Sequence, residues 1–205
     1  MFHKSTLSSI VAAIFIIAVP MQAHAMIVTA IVDANNITGS AVQNGTQIDT
    51  NAAGTVTSYS GLTFNPTGAA INLNAITDLN GLVTGGTFSM IGNGNNYLSG
   101  VVTSGSYTFS DPNNPNNATL FFALTSLTSS TLNTGDILGT VSVGLTMMVP
   151  GGVTSIAELL AAVNFTGLMN IEFEYQAAEV PLPGAALLFL TGLAGTGMMR
   201  RRKRA

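Results

Sequence analysis

The chain has 205 residues, with nine Asp and Glu, six Lys and Arg, two His, no Cys and no Trp, for a formal net charge of −3. Without cysteine neither disulfides nor thiolate metal sites can hold the fold, so stability must come from apolar burial and backbone hydrogen bonding. All the bases sit near the two ends (His3, Lys4 and His24; Arg200, Arg201, Arg202, Lys203 and Arg204), which leaves Met26 to Glu179 with acids alone and excludes nucleic-acid binding by phosphate neutralisation there.

The first residues have the layout of a secretory signal peptide. Lys4 supplies the charged start, Ile10 to Val19 the apolar stretch, Pro20 a helix break, and Ala23-His24-Ala25 a small-x-small cleavage site. The apolar run is shorter than the roughly 20 residues that span a bilayer, so cleavage after Ala25 and a mature start at Met26 are expected.

From Met26 to Glu179, Asn, Thr, Ser and Gly take the place of charge. Met26 to Val32, Leu82 to Ile91, Val101 to Phe109, Thr119 to Leu127, Ile137 to Val149 and Asn164 to Tyr175 read as strands, with several shorter ones between Thr55 and Ile76. Ile171-Glu172-Phe173-Glu174-Tyr175 alternates most clearly, and Val141, Val143 and Leu145 share a face in the segment before it. Turn formers separate the strands: Asn35-Asn36, Asn44-Gly45, Asn65-Pro66, Asn80-Gly81, Asn93-Gly94 and Asp111 to Asn117. One helix is predicted from about Ile156 to Val163, because Ser155 and Glu158 have capping-box spacing ahead of Leu159, Leu160 and Val163. The fold expected is therefore all-β, an antiparallel β-sandwich or jelly roll with one short helix. The segments lack the fixed period of a solenoid, and a chain ending in a basic tail lacks the outward-facing last strand of an outer-membrane barrel.

Little here supports chemistry. His, Cys, Lys and Arg are absent between Met26 and Glu179, which removes histidine bases, thiol nucleophiles, Schiff bases and arginine clamps. Glu172 and Glu174 share a strand face as a glycosidase pair would, but a solvated acidic face has the same pattern. Asp78-Leu79-Asn80-Gly81 and Asp111-Pro112-Asn113 offer oxygen ligands to calcium, without the twelve-residue loop, and also read as Asx turns. Neither a cofactor nor a catalytic residue is expected. Asn36, Asn44, Asn117 and Asn164 open N-x-Ser/Thr triplets, a weak signal in a chain so rich in Asn and Thr.

The end of the sequence carries the strongest pattern. Val180-Pro181-Leu182-Pro183 precedes an uncharged, glycine-punctuated stretch from Gly184 to Met199, and then come Arg200, Arg201, Arg202, Lys203 and Arg204. As a helix, Ala185 to Met199 covers about 22 Å of a hydrocarbon core roughly 30 Å thick, so it spans only with a thinned bilayer or an interfacial entry. The basic cluster stays on the cytoplasmic side, which puts the body outside, as the signal peptide also demands.

This order of proline motif, short transmembrane helix and terminal cations resembles the PEP-CTERM sorting signals of Gram-negative bacteria in their VPLP-type variant. Leu182 stands where the founding pattern has Glu. The resemblance covers about the last 26 residues, and it implies recognition by an exosortase, a membrane-embedded cysteine enzyme, cleavage near the prolines, and transfer to the cell surface or an exopolysaccharide matrix. The function expected is a noncatalytic surface or matrix protein, anchored in the inner membrane before processing and associated with exopolysaccharide. A calcium-dependent carbohydrate-binding module is the second expectation.

Overall fold

Alternation of side chains decides where each strand buries its face. In the last strand Phe165, Met169, Ile171, Phe173 and Tyr175 are buried, whereas Asn164, Thr166, Leu168, Asn170, Glu172 and Glu174 point to solvent. The computed structural model describes residues 26–109 and 117–177. The signal-peptide residues Ala23 and Ala25, the motif Val180, Pro181, Leu182 and Pro183, the basic cluster Arg200 to Arg204 and the Asp111 turn lie outside them, while Met26 opens the first strand.

The strands are β1 (Met26–Asn44), β2 (Gln47–Ser60), β3 (Ala70–Asp78), β4 (Val83–Gly92), β5 (Asn95–Phe109), β6 (Asn117–Thr128), β7 (Ile137–Met148) and β8 (Asn164–Ala177). A 3₁₀ turn at Thr134–Asp136 precedes β7, and the helix α1 (Ile156–Ala162) lies between β7 and β8. Every strand pairs antiparallel with its neighbour in sequence, and the eight close into a barrel.

The all-β class and the short helix stand as expected, but the sandwich or jelly roll does not: one sheet closes on itself with no crossover between layers. Strand signals report exposure and burial, not which strand pairs with which. Closure also suits a domain without bases, because sheet edges in such a domain could not be guarded by lysine, and a barrel has no edge to guard.

The Asn35-Asn36 turn is a second correction. Asn36 does take the positive φ of 56° that favours Asn, yet the chain continues as β1 and the residue forms a bulge, shifting the register from Asn35↔Thr55 to Thr38↔Ala53. Asn44-Gly45 and Asn93-Gly94 are tight hairpin turns as read, with Gly45 at φ 63° and Asn93 at φ 51°.

Polarity is inverted relative to a membrane barrel, whose outer face is apolar. Here Ile48, Ile71, Met90, Leu98, Leu120, Leu145, Met147 and Ile171 fill the interior, all under 2 % exposed, while Thr, Ser and Asn dominate outside. With eight strands the lumen is just wide enough for side chains to fill. Both rims are closed. At one, Phe64 of the β2–β3 loop stacks on Tyr97 with centroids 5.4 Å apart, and the Tyr175 hydroxyl donates to the Gly61 carbonyl at 2.8 Å. At the other, α1 buries Leu159, and Ile156 packs beside Gly81 and Tyr107. Ser155 caps this helix by accepting from the Glu158 amide at 3.3 Å, but Glu158 reaches one residue past the expected box, accepting from the Thr154 amide at 2.6 Å and its hydroxyl at 2.9 Å. Those bonds, the amide first, hold its carboxyl below the usual range. An even number of antiparallel strands returns the chain to its starting rim, so Met26 and Ala177 leave the barrel at the same end.

Two threonines break the apolar interior. Thr50 and Tyr107 share a hydrogen bond between their hydroxyls, whereas the Thr77 hydroxyl is buried with no partner. Burial pushes the Tyr107 phenol up to about 12, against 10.0 ordinarily, although its bond to Thr50 opposes the shift. Ionisation therefore favours the unfolded chain: stability is intact below pH 10 and drains as pH approaches 12, by roughly 2 kcal/mol. Urea titrations across that range should show the alkaline limb in the native chain and lose it in Tyr107→Phe. Thr77→Val keeps the shape and deletes the orphan hydroxyl, so it should raise stability by about 1 kcal/mol, read as a higher urea midpoint at unchanged slope.

Candidate functional site: a neutral groove on the barrel wall

An open depression of about 860 Å³ lies on the outer wall, crossing β8, β1, β2, β3 and β4. Register builds it. One row aligns Ser40, Asn51, Asn74 and Thr87 across four strands, and the next aligns Thr38, Ala53, Asn72 and Ser89. Asn164 and Thr166 of β8 extend the floor on one side, and Pro150 stands at the margin. These side chains are short, so the wall sinks where they cluster.

Two internal contacts fix the floor. Asn74 Nδ2 donates to Asn51 Oδ1 at 2.9 Å, which orients both amides and leaves the Asn51 NH₂ and the Asn74 carbonyl available. Beneath the floor the Phe165 ring lies against Gly39, at a point where a Cβ would strike both the ring and the Asn51 carbonyl. Hydroxyls and amides supply donors and acceptors in this groove, and no ionisable side chain lines it. Such a surface offers a ligand many modest hydrogen bonds of about 1 kcal/mol each and no ion pair.

The residues singled out in the sequence fall elsewhere. Glu172 and Glu174 stand on the outer face of β8, in register with Ser142 and Leu138 of β7. Among the described residues no group of three His, Asp or Glu side chains comes together. Asp78 is committed to its turn: Oδ1 accepts from the Leu82 and Asn80 amides at 2.9 Å each, and Oδ2 accepts from the Asn80 side chain at 3.3 Å. The Leu82 amide, chief among these donors, holds the Asp78 carboxyl below its ordinary value. This is the Asx-turn chemistry that the Asp78-Asn80-Gly81 spacing suggested. Among the triplet asparagines, Asn36 lies on the β1 bulge, Asn44 ends β1, and Asn117 and Asn164 begin β6 and β8.

The groove was not legible as a site. Asn72 and Asn74 are two apart on one strand and show a polar face, but Ser40, Asn51 and Thr87 join them only through pairing. No helix among the described residues is long and apolar enough to cross a membrane, and the Gly184 to Met199 segment lies outside them. Comparison of the chain with protein-family models, with curated proteins and with solved structures finds no match.

Proposed function

We propose that the chain is an exported, noncatalytic surface or matrix protein that associates with exopolysaccharide, delivered by its signal peptide and carried to an exosortase-type enzyme by its C-terminal tail. The observation that carries this reading is one of charge distribution: the cations are confined to the two ends, and the barrel between them presents acids and neutral hydrogen-bonding side chains. A neutral polar groove supports the polysaccharide part, since hydrated glycans offer hydroxyls rather than charges. The tail supports the anchoring part, since an apolar stretch followed by five cations resists translocation.

Barrel geometry bears on presentation. Both ends of the barrel's chain, Met26 and Ala177, leave one rim, and α1 lies at the other. The test is intact-mass spectrometry of the protein recovered from membrane, cell surface and medium. The reading expects a surface or medium form beginning at Met26 and ending near Pro183. An externally recovered form that retains Arg200 to Arg204 would argue against processing, and confinement of the barrel to the cytosol would overturn export itself.

A further inference from the structure

A second row on the outer wall differs in chemistry from the neutral groove. Register aligns Ser106, Phe121, Gly144 and Asn170 across β5, β6, β7 and β8. The row continues onto β1 and β2, because Asn170 Nδ2 donates to Asp33 Oδ1 at 2.8 Å and Ser58 Oγ donates to Asp33 Oδ2 at 3.0 Å. Phe121 is 55 % exposed, and its ring leans over Gly144, where a Cβ would lie 3.2 Å from Cε1. Beside it a depression of about 340 Å³ is lined by Gly144, Thr146, Leu168, Asn170, Asp33 and Ser58.

We infer that this row is a binding subsite for neutral glycans, in which Phe121 stacks on the C–H face of a pyranose ring while Asn170 and Asp33 accept hydrogen bonds from hydroxyls further along the chain. The inference rests on the polysaccharide reading above and gives it a specific address.

Three features converge. An aromatic ring packed beside a glycine keeps part of its apolar surface in water, and here it stands in a row of hydrogen-bonding side chains, so a sugar's C–H face and its hydroxyls can be met together. Next along the row, Asn170 has its carbonyl oxygen uncommitted, and each Asp33 oxygen, though it accepts one bond, has a further lone pair to offer. With strands about 4.8 Å apart, the three steps from Phe121 to Asp33 cover roughly 14 Å, a length suited to an oligosaccharide rather than a single small molecule.

Charge selects the class. Asp33 sits within the row and Glu172 is the next outward residue on β8, with no base anywhere on the described barrel. A uronic acid or sulfated polymer would be repelled, and a neutral chain would not. A second copy of the barrel suits the row poorly, because a stable dimer needs about 800 Å² from each partner and one ring amid polar side chains does not offer it.

Affinity electrophoresis of the full-length chain in mild detergent tests this, with galactomannan, hydroxyethyl cellulose, dextran or alginate cast into the gel. Retardation by at least one neutral polymer and none by alginate is expected. Phe121→Ala should weaken that retardation tenfold or more, Phe121→Trp should preserve it, and Asp33→Asn should weaken it several-fold. Melting curves separate lost binding from lost folding, and Asp33→Asn supplies an independent readout should Phe121→Ala unfold. Equal binding by the native chain, Phe121→Ala and Asp33→Asn overturns the inference, as does retardation by alginate as strong as by the neutral polymers. Loss in Asn51→Ala with Phe121→Ala unaffected moves binding to the groove, sinking this subsite while leaving the proposed function intact. No retardation by any polymer removes the polysaccharide reading together with the subsite.

Discussion

Gly105→Ala is expected to cost roughly 4 kcal/mol or more and to lower the melting temperature by about 10 °C, the largest effect of any single methyl added to this barrel. Gly105 lies within β5 at φ 150°, a conformation that side chains rarely adopt. A Cβ there would drive into the Phe121 carbonyl oxygen and lie 2.6 Å from Phe122 Cα, so the obstacle is the backbone of the paired strand rather than a side chain that can rotate away. Relief requires β5 and β6 to separate, in a closed sheet where every displacement is passed around the ring. The comparison that isolates this mechanism is Gly94→Ala. Gly94 is also at positive φ, 75°, but nothing lies within 4 Å of its added Cβ, so only the conformational cost of about 1–2 kcal/mol remains. Thermal unfolding of both variants should separate them by several degrees, and equal melting temperatures would show that strand approach at Gly105 is not a constraint.

Local chemistry made parts of this fold readable. The alternation of Ile171, Phe173 and Tyr175 against Glu172 and Glu174 survives intact in β8, and the Ser155 cap starts α1 at Ile156, about two turns before the chain re-enters the sheet. What was not readable depends on pairing. Asn35-Asn36 has turn composition, but β1 runs past it because Thr38 to Asn44 find partners in β2, and the ladder outweighs the local preference for a turn. Phe121-Phe122 is ambiguous in sequence: either ring could have faced inward, and the inward positions of Leu120 and Leu124 assign Phe122 to the core and Phe121 to water. The groove and the Phe121 row are both products of register, assembled from one or two outward residues on each of five or six strands, so neither leaves a linear motif.

Closure and composition explain each other. A domain that lacks lysine and arginine has no ion pairs to spend on surface order, so its outer wall is tied by side-chain bonds such as Asn74 to Asn51, Asn170 to Asp33 and Ser58 to Asp33. The loop after β6 works the same way: Ser129 Oγ donates to the Tyr97 carbonyl at 2.7 Å and accepts from the Leu132 amide at 2.9 Å. None of these bonds pairs two opposite charges, so salt screens them less than it does surface ion pairs, which suits a protein proposed to work in a hydrated extracellular matrix.

Replacing both prolines of the tail, Pro181→Ala with Pro183→Ala, should reduce the released form of the protein at least tenfold and cause the full-length form to accumulate in the membrane fraction. Proline restricts its own φ to near −65° and disfavours helix at the residue before it, so the sequence Val180-Pro181-Leu182-Pro183 opposes helix immediately before an apolar segment whose composition favours one. A peptide bond is open to a hydrolase or transpeptidase only when its backbone is extended and its carbonyl unpaired. With two alanines that restriction is lifted, and on the proposed reading a tail helix could extend back through Val180, tying those carbonyls into i→i+4 bonds and hiding them from the proposed sorting enzyme. Intact-mass analysis of membrane and medium reads both species at once, since the uncut form keeps Arg200 to Arg204 and the cut form lacks them. Substituting those cations with serine provides the complementary case: if they hold the tail on the cytoplasmic side as proposed, that variant should leave the membrane fraction with its tail uncut. If the double proline variant is released in native amount with the native terminus, the Val180 to Pro183 segment is a passive linker and the anchoring must be explained without a sorting enzyme.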